Sequence, residues 1–176
     1  NYPDDYIEKM IRKIEIYERK AIVGIHGTIF AKPFENYFKN RTVFHFKNKL
    51  ERDVVVNQLG TGTVGFHTSL IRPNLEEFCD VGMADVFMAI IAKKNAISLI
   101  CIDRDENWMS AMEEDEGGNL YHEFRKNDSK QTKYISQILP FEEIISGELG
   151  LSLKNKIEKY GDVFAKEIVE RQSVVV

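Results

Sequence analysis

The sequence predicts an α+β fold, in which a single domain, residues 1–176, contains a mixed or antiparallel sheet with an N-terminal, a central and a C-terminal helix. Three observations support this prediction. Apolar residues recur at helical spacing in separate segments, short β-branched runs lie between them, and the two patterns do not alternate strictly as in a doubly wound fold. The chain is 43% hydrophobic, which suffices for one core, and no linker or low-complexity tract divides it.

The N-terminal part of the chain predicts a helix followed by short strands. Apolar side chains at spacings of three and four indicate an amphipathic helix. A β-branched run then predicts a buried strand, and a proline that suits the first position of a helix opens the next segment. The predicted elements are the helix Tyr6 to Lys20, the strand Ala21 to Phe30, a short helix Pro33 to Asn40, and the strands Thr42 to Phe46 and Asp53 to Val56.

The remaining chain predicts two longer helices and four strands. Asn74 followed by Glu77 resembles a capping box at the start of a central helix. An apolar run between Asn95 and Asp103 predicts an interior strand. The predicted elements are the strand Thr63 to Ile71, the central helix Asn74 to Ile91, the strand Ala96 to Ile102, the strand pair Asn119 to Phe124 and Lys133 to Leu139, and the closing helix Leu151 to Arg171.

Charge and hydropathy argue against two classes of binding partner, nucleic acid and membranes. The formal charge of −4 does not favour nucleic acid, because duplex-binding proteins usually carry a basic surface. No apolar run approaches the roughly 20 residues that cross a bilayer, and the start of the chain lacks the basic flank and apolar stretch of a leader. We therefore expect a cytoplasmic protein with no membrane partner. Cys79 and Cys101 lie in apolar surroundings, which predicts buried free thiols.

Residues 103–116 are strongly acidic, and Arg104 is the only basic residue among them. The carboxylates do not follow the spacing of a calcium-binding loop, so we expect a solvated loop. His26, His45 and His67 have no ligand spacing that singles out a metal site with this loop. No metal ligand is predicted.

The most distinctive feature is a pair of matching segments, Val23 to Phe30 and Val64 to Ile71. Each contains valine, glycine, an apolar residue, histidine, any residue, a hydroxyl residue and two apolar residues. On a strand, the histidine and the hydroxyl residue two places later project from the same face, so each pair could contact one ligand. The two pairs are His26 with Thr28 and His67 with Ser69.

The first segment also begins an order of motifs found in a family of NAD-using enzymes. His26-Gly27-Thr28, a short candidate helix, and then Leu59-Gly60-Thr61-Gly62 before an aromatic strand resemble the ADP-ribosyltransferases of the His-Gly-Thr type. The resemblance implies that NAD is a substrate, that an aromatic ring stacks on nicotinamide, and that a late glutamate orients a ribose hydroxyl. The implied residues are His26 and Thr28 as catalytic groups, Gly27, Gly60, Gly62 and Phe66 as NAD-binding groups, and Glu143 or its neighbour Glu142 as the acid.

The paired segments also resemble the two-histidine phosphoesterases, whose two His-x-Thr/Ser motifs act on cyclic or 2′,3′-linked phosphates. The resemblance implies that His26 and His67 serve as base and acid, while Thr28 and Ser69 hold phosphate oxygens. Imidazoles suit these roles because their unperturbed pKa lies close to neutral pH.

Non-catalytic interpretations are alternatives to both enzyme interpretations. A histidine between apolar residues on a strand is often a hydrogen-bonded structural residue, which is the interpretation we give His45. Acidic charge without a complete catalytic constellation is compatible with a protein-interaction or immunity-type module. We expect a nucleotide-type ligand, with the ADP-ribosyltransferase interpretation first because its spacing fits the chain best. The position of His67 relative to His26 distinguishes the two enzymes.

Overall fold

A computed structural model of the chain, which describes residues 2–39, 41–110 and 124–139, has the α+β fold that the sequence predicts. Its principal helices are α1 (Tyr6–Ile16), α2 (Ala84–Lys94) and α3 (Ser129–Ile135). Its strands are β1 (Ala21–Gly24), β2 (Gly27–Phe30), β3 (Arg41–Phe44), β4 (Val54–Val56), β5 (Gln58–Leu59) and β6 (Ser98–Cys101).

The strands form two three-stranded sheets. The first sheet has the order β1-β6-β4 and is mixed, because β6 runs parallel to β1 and antiparallel to β4. The second has the order β3-β2-β5 and is antiparallel throughout. All residues of β1 and β6 are buried, as expected for strands of a sheet covered on both faces.

The predicted strand from Ala21 to Phe30 is divided, since β1 belongs to the first sheet and β2 to the second. The break falls at Ile25 and His26, where the Ile25 amide donates to the side chain of Thr63 instead of to a strand. The chain crosses between the sheets again at Asn57, whose amide donates to Thr28 and whose side chain accepts from the amide of Phe30. These crossings define a seam between the sheets.

The helices cover the sheets in different ways. α2 is apolar and every residue from 86 to 92 is buried, which confirms a central helix enclosed by the core. The predicted capping box of Asn74 and Glu77 is present, but it begins a short 3-10 turn ahead of α2. α1 packs on β1 through Met10, while Ile7 and Ile11 are 64% and 55% exposed.

Lys13 joins α1 to the first sheet through a buried ion cluster. Its ammonium lies 2.8 Å from both carboxylate oxygens of Asp53, which precedes β4, and also pairs with Asp103, which follows β6. The Tyr17 hydroxyl donates to Asp53 at 2.6 Å. The start of the acidic segment is therefore part of the fold.

Three predicted elements differ from the structure. The segment from Pro33 is irregular because the amides of Tyr37 and Phe38 donate to side chains of α3 and its N-terminus rather than to a helical turn. Lys133 to Ile138 is helical, since Tyr134 packs on Phe87 of α2. Thr63 to Ile71 forms a single bridge, at Gly65, and is otherwise a 3-10 turn and loop.

Two other predictions concern the thiols and the chain beyond these elements. Both cysteines are free, as predicted; Cys101 is buried, but Cys79 is exposed on the loop before α2. The predicted helix Leu151 to Arg171 and nearly all of the predicted strand Asn119 to Phe124 lie outside the described residues. Within the described ranges, no helix combines the length and the apolar character needed to cross a bilayer.

Candidate functional site

His26 lies on the seam between the two sheets, and the pairing of β2 with β3 brings it against His45. Gly27 pairs with Phe44 in antiparallel register, so the residue before Gly27 faces the residue after Phe44. The His26 and His45 rings are in edge contact, with centroids 5.3 Å apart and an interplanar angle of 78°. Phe46 is the third ring, 6.2 Å from His26.

Gly60 forms one wall beside His26. Its amide donates to the His26 carbonyl at 2.8 Å, and a Cβ added at Gly60 would lie 3.3 Å from the His26 Cβ. The glycine therefore permits the close approach of the loop that follows β5. The sequence predicts that His26 and Gly60 belong to the same site, and the two residues are in contact in the structure.

A buried guanidinium lies beside His45. Arg104 is 2% exposed, and its Nη2 donates to the His45 carbonyl at 2.7 Å while Nη1 donates to the Ile102 carbonyl at 3.0 Å. In the described residues the Arg104 Nε–H has no acceptor, and no carboxylate lies within ion-pair distance of the guanidinium. We call His26, His45, Phe46 and Arg104 the His26 cluster.

Burial and the nearby cations change the proton affinity of the imidazoles. Burial, followed by the charges of His45, Arg104 and Arg41, lowers the pKa of His26 to about 4. Burial also lowers the pKa of His45, with further contributions from Lys47 and Arg104. His26 is therefore neutral near pH 7 and offers one hydrogen-bond donor and one acceptor.

Cys101 lies beside the cluster but is not a nucleophile. Burial raises the pKa of its thiol to about 11, despite the opposing effect of Arg104. The thiol donates to the Ile25 carbonyl at 3.3 Å. A protonated, buried thiol of this kind is chemically inert.

Gly27 and Thr28 have structural surroundings. A Cβ added at Gly27 would lie 2.9 Å from the Cys101 Cβ and 3.0 Å from Val56, so the glycine allows β2 to pack on the first sheet. Thr28 is buried on β2, where its carbonyl accepts from the Asn57 amide. Close packing accounts for the glycine of the His-Gly-Thr motif.

The other predicted NAD-binding positions are spread over the loop after β5. Gly62 is exposed with open space around it, and its carbonyl accepts from the Tyr2 hydroxyl at 2.6 Å. Phe66 is half-buried and packs against the core that contains α2. Glu142 and Glu143 lie outside the described residues.

His67 and Ser69 contact each other on a turn. The His67 Nδ1 lies 2.6 Å from the Ser69 hydroxyl and accepts from the Ser69 amide at 3.1 Å. Val23 and Gly65 form an antiparallel bridge, so the chain moves away from this bridge in opposite directions to reach His26 and His67. The structure therefore brings His67 to Ser69 and not to His26.

Three members of the His26 cluster were missed as site residues: His45, Phe46 and Arg104. His45 was predicted to be structural, and Arg104 stood out only as a lone cation in an acidic run. The available signal was the strand register, which opposes His26 and His45 once β2 and β3 are paired. In the described part of the chain, no three histidine, cysteine, aspartate or glutamate side chains are grouped to hold a metal.

We expect acid to destabilise the folded protein through His26. The pKa is 6.5 in the unfolded chain and about 4 in the folded protein, so between these values only the unfolded chain binds the proton. The free energy of unfolding therefore falls as the pH is lowered through this window. The His26 contribution lost by about pH 4.5 is about 2 kcal/mol.

Urea unfolding of the wild type and His26→Gln at about pH 7.5 and about pH 4.5 measures this contribution. Burial raises the pKa of Asp53 and of Asp85, which act in the opposite direction in both proteins and cancel in the comparison. The wild type should lose about 2 kcal/mol more than the variant on acidification. Equal losses would show that His26 titrates normally in the folded protein.

Comparison with protein-family models finds none that matches the chain, and comparison with curated proteins finds no match either.

Proposed function

We propose that the protein binds a nucleotide-type ligand at the His26 cluster, and that NAD is this ligand, as the His-Gly-Thr resemblance implies. The observation that carries the proposal is the contact of a neutral, half-buried His26 imidazole with the His45 and Phe46 rings at the seam. Few polar groups beside an aromatic surface are typical of small-molecule sites.

The rings of His45 and Phe46 offer a stacking surface. Their centroids are 4.4 Å apart with an interplanar angle of 30°, and both side chains are half-buried. A base or a nicotinamide ring gains about 1–3 kcal/mol from stacking on such a side chain. This role, which the resemblance gave to Phe66, passes to Phe46 in our proposal.

His26 supplies hydrogen bonds and does not exchange a proton. An imidazole whose pKa is about 4 stays neutral near pH 7 and is a weak base. Its one donor and one acceptor match the carboxamide of nicotinamide, which also has both. Binding and orientation of the ligand are thus the functions that we assign to His26.

The reaction we propose is transfer of ADP-ribose from NAD to a nucleophile of an acceptor molecule: the bond between the ribose and nicotinamide breaks, nicotinamide leaves, and the nucleophile bonds to the ribose carbon and loses its proton. The resemblance assigns Glu143 the orientation of a ribose hydroxyl, which predicts that Glu143→Gln retains NAD binding and loses at least about 100-fold in turnover. Calorimetry and release of nicotinamide measure the two quantities separately. Full turnover by Glu143→Gln would rule out this role of Glu143.

NAD binding to the wild type, His26→Ala and Phe46→Ala tests the ligand site by calorimetry and thermal shift. Each substitution should weaken NAD binding by about tenfold, the equivalent of one lost stacking or hydrogen-bonding contact. Val43→Ala, an exposed apolar residue on β3, is the control. No nucleotide-dependent shift in the wild type would overturn the proposal and favour a protein-interaction module.

The phosphoesterase alternative gains no supporting observation. It needs both histidines at one phosphate, and the His67 to Ser69 turn lies away from His26 along the bridge at Gly65. We therefore carry one candidate function forward.

A further inference from the structure

We propose that Arg104 makes the His26 cluster selective for phosphorylated nucleotides over nucleosides and free bases. This inference rests on the proposed nucleotide site and names its ligand class. Arg104 supplies positive charge from the buried side of His45, and a ligand phosphate is held by the His45 N–H and by Lys47 at the surface, while the His26 N–H binds the carboxamide.

No carboxylate neutralises the charge of Arg104 in the described part of the chain. Its two hydrogen bonds to backbone oxygens, those of His45 and Ile102, satisfy donors but bring no negative charge. Its Nε–H is buried and has no acceptor among the described residues. Buried charges are normally paired, because removing an ion from water costs several kcal/mol.

The charge of Arg104 acts directly on the proposed site. The guanidinium is bonded to the backbone of His45, and its charge lowers the pKa of both imidazoles of the cluster. Lys47 adds a second cation at the surface, where its ammonium lies 6.0 Å from the centroid of the Phe46 ring. An anion placed between His45 and Lys47, at the edge of the stacking surface, is therefore attracted by two cations and can accept from the His45 N–H.

The ion cluster on α1 shows how another buried cation of this protein is paired. Lys13 is also largely buried, but it is paired with Asp53 and Asp103, so its charge is satisfied within the protein. In the described residues Arg104 has no such carboxylate. A dianionic phosphate supplies the missing charge and several acceptors, and charge-assisted hydrogen bonds are the stronger class.

The test compares ADP with adenosine, which share a base and a ribose and differ in phosphate. We expect the wild type to bind ADP at least about tenfold more tightly than adenosine at low salt, with the preference decreasing as salt is added. Inorganic pyrophosphate should compete with ADP. Equal affinity for ADP and adenosine would overturn the inference and leave the proposed nucleotide site standing, whereas absence of binding by NAD, ADP and adenosine would overturn both.

Variants test whether Arg104 and Lys47 cause the preference for ADP over adenosine. Arg104→Met should abolish the preference for ADP while changing adenosine affinity less than about twofold, and Arg104→Lys should restore part of it. Arg19→Met, which removes an exposed arginine on a different surface, should retain the full preference. Because Arg104 is buried, exposed Lys47→Gln serves as a second variant and should reduce the preference about threefold. An unchanged preference in folded Arg104→Met would overturn the assignment, as would an unchanged preference in Lys47→Gln if Arg104→Met does not fold.

Discussion

Lys13→Met is expected to lower the free energy of unfolding by about 3–5 kcal/mol, which is the cost of leaving a buried carboxylate without its counter-ion. The Asp53 side chain is 7% exposed, and Lys13 is its cationic partner. Burial raises the pKa of Asp53 while Lys13 opposes the increase, so removing the lysine leaves burial dominant. The same change removes the ion pairs that join α1 to the first sheet.

Urea unfolding near pH 7 measures this loss, with Arg19→Met as the control. Arg19 pairs with Glu15 at 2.8 Å, but both side chains are about half exposed, so its loss should cost less than about 1 kcal/mol. Adding Asp53→Asn to Lys13→Met should recover part of the stability, because the amide is neutral and still accepts from Tyr17. A loss below about 1 kcal/mol for Lys13→Met, or no recovery in the double variant, would contradict this account.

Gly27→Val is expected to cost about 3 kcal/mol or more through overpacking. The new Cβ would lie 2.9 Å from the Cβ of Cys101, which the β6 backbone fixes and no rotamer change can move. Valine otherwise favours a strand, so intrinsic propensity acts in the opposite direction and makes packing the cause of any loss.

Two glycines provide graded controls for Gly27→Val. Gly62 has open space around it, so Gly62→Ala should change the free energy of unfolding by less than about 0.5 kcal/mol. A Cβ at Gly24 would lie 3.1 Å from the end of the flexible Leu59 side chain, so Gly24→Ala should cost less than Gly27→Val. If Gly27→Val and Gly62→Ala are equally stable in urea, the close approach of the two sheets is wrong.

Elements defined by local pattern were predictable. α1 and β6 have bounds within a few residues of their predicted ones, whereas α2 ends close to its predicted end but begins at Ala84 instead of at Asn74. The spacing of apolar residues is sufficient for these elements because each buries one face, or all of its surface, in a single core.

Elements defined by distant contacts were not predictable. The break at His26 depends on Gly27 packing against Cys101, and the irregular chain after Pro33 depends on side chains near α3. Tyr134 and Ile135 fit a strand pattern and a helical one equally well over so short a segment. Tertiary packing decides whether such a segment becomes a strand or a helix, and the local sequence pattern carries no information about that packing.

The candidate site was predictable in part for the same reason. His26 and Gly60 belong to successive motifs of the predicted site, and they are in contact in the fold. Arg104 belongs to no motif and is positioned by a backbone bridge to Leu50. The His26 cluster combines a buried cation with aromatic rings, and its residues come from three separate segments of the chain. No short motif describes it.

The division of the strands between two sheets has a consequence for synthesis on the ribosome. The described strands of the second sheet all lie within residues 27–59, so they can pair as soon as this stretch has emerged. β1 and β4 both pair with β6, so the edges that face β6 must remain open until residue 101 has emerged, and before then β1 has only its bridge to Gly65. The earliest apolar strand of the chain is therefore among the last to find its partner, and it is the segment most exposed to wrong pairing while the nascent chain grows.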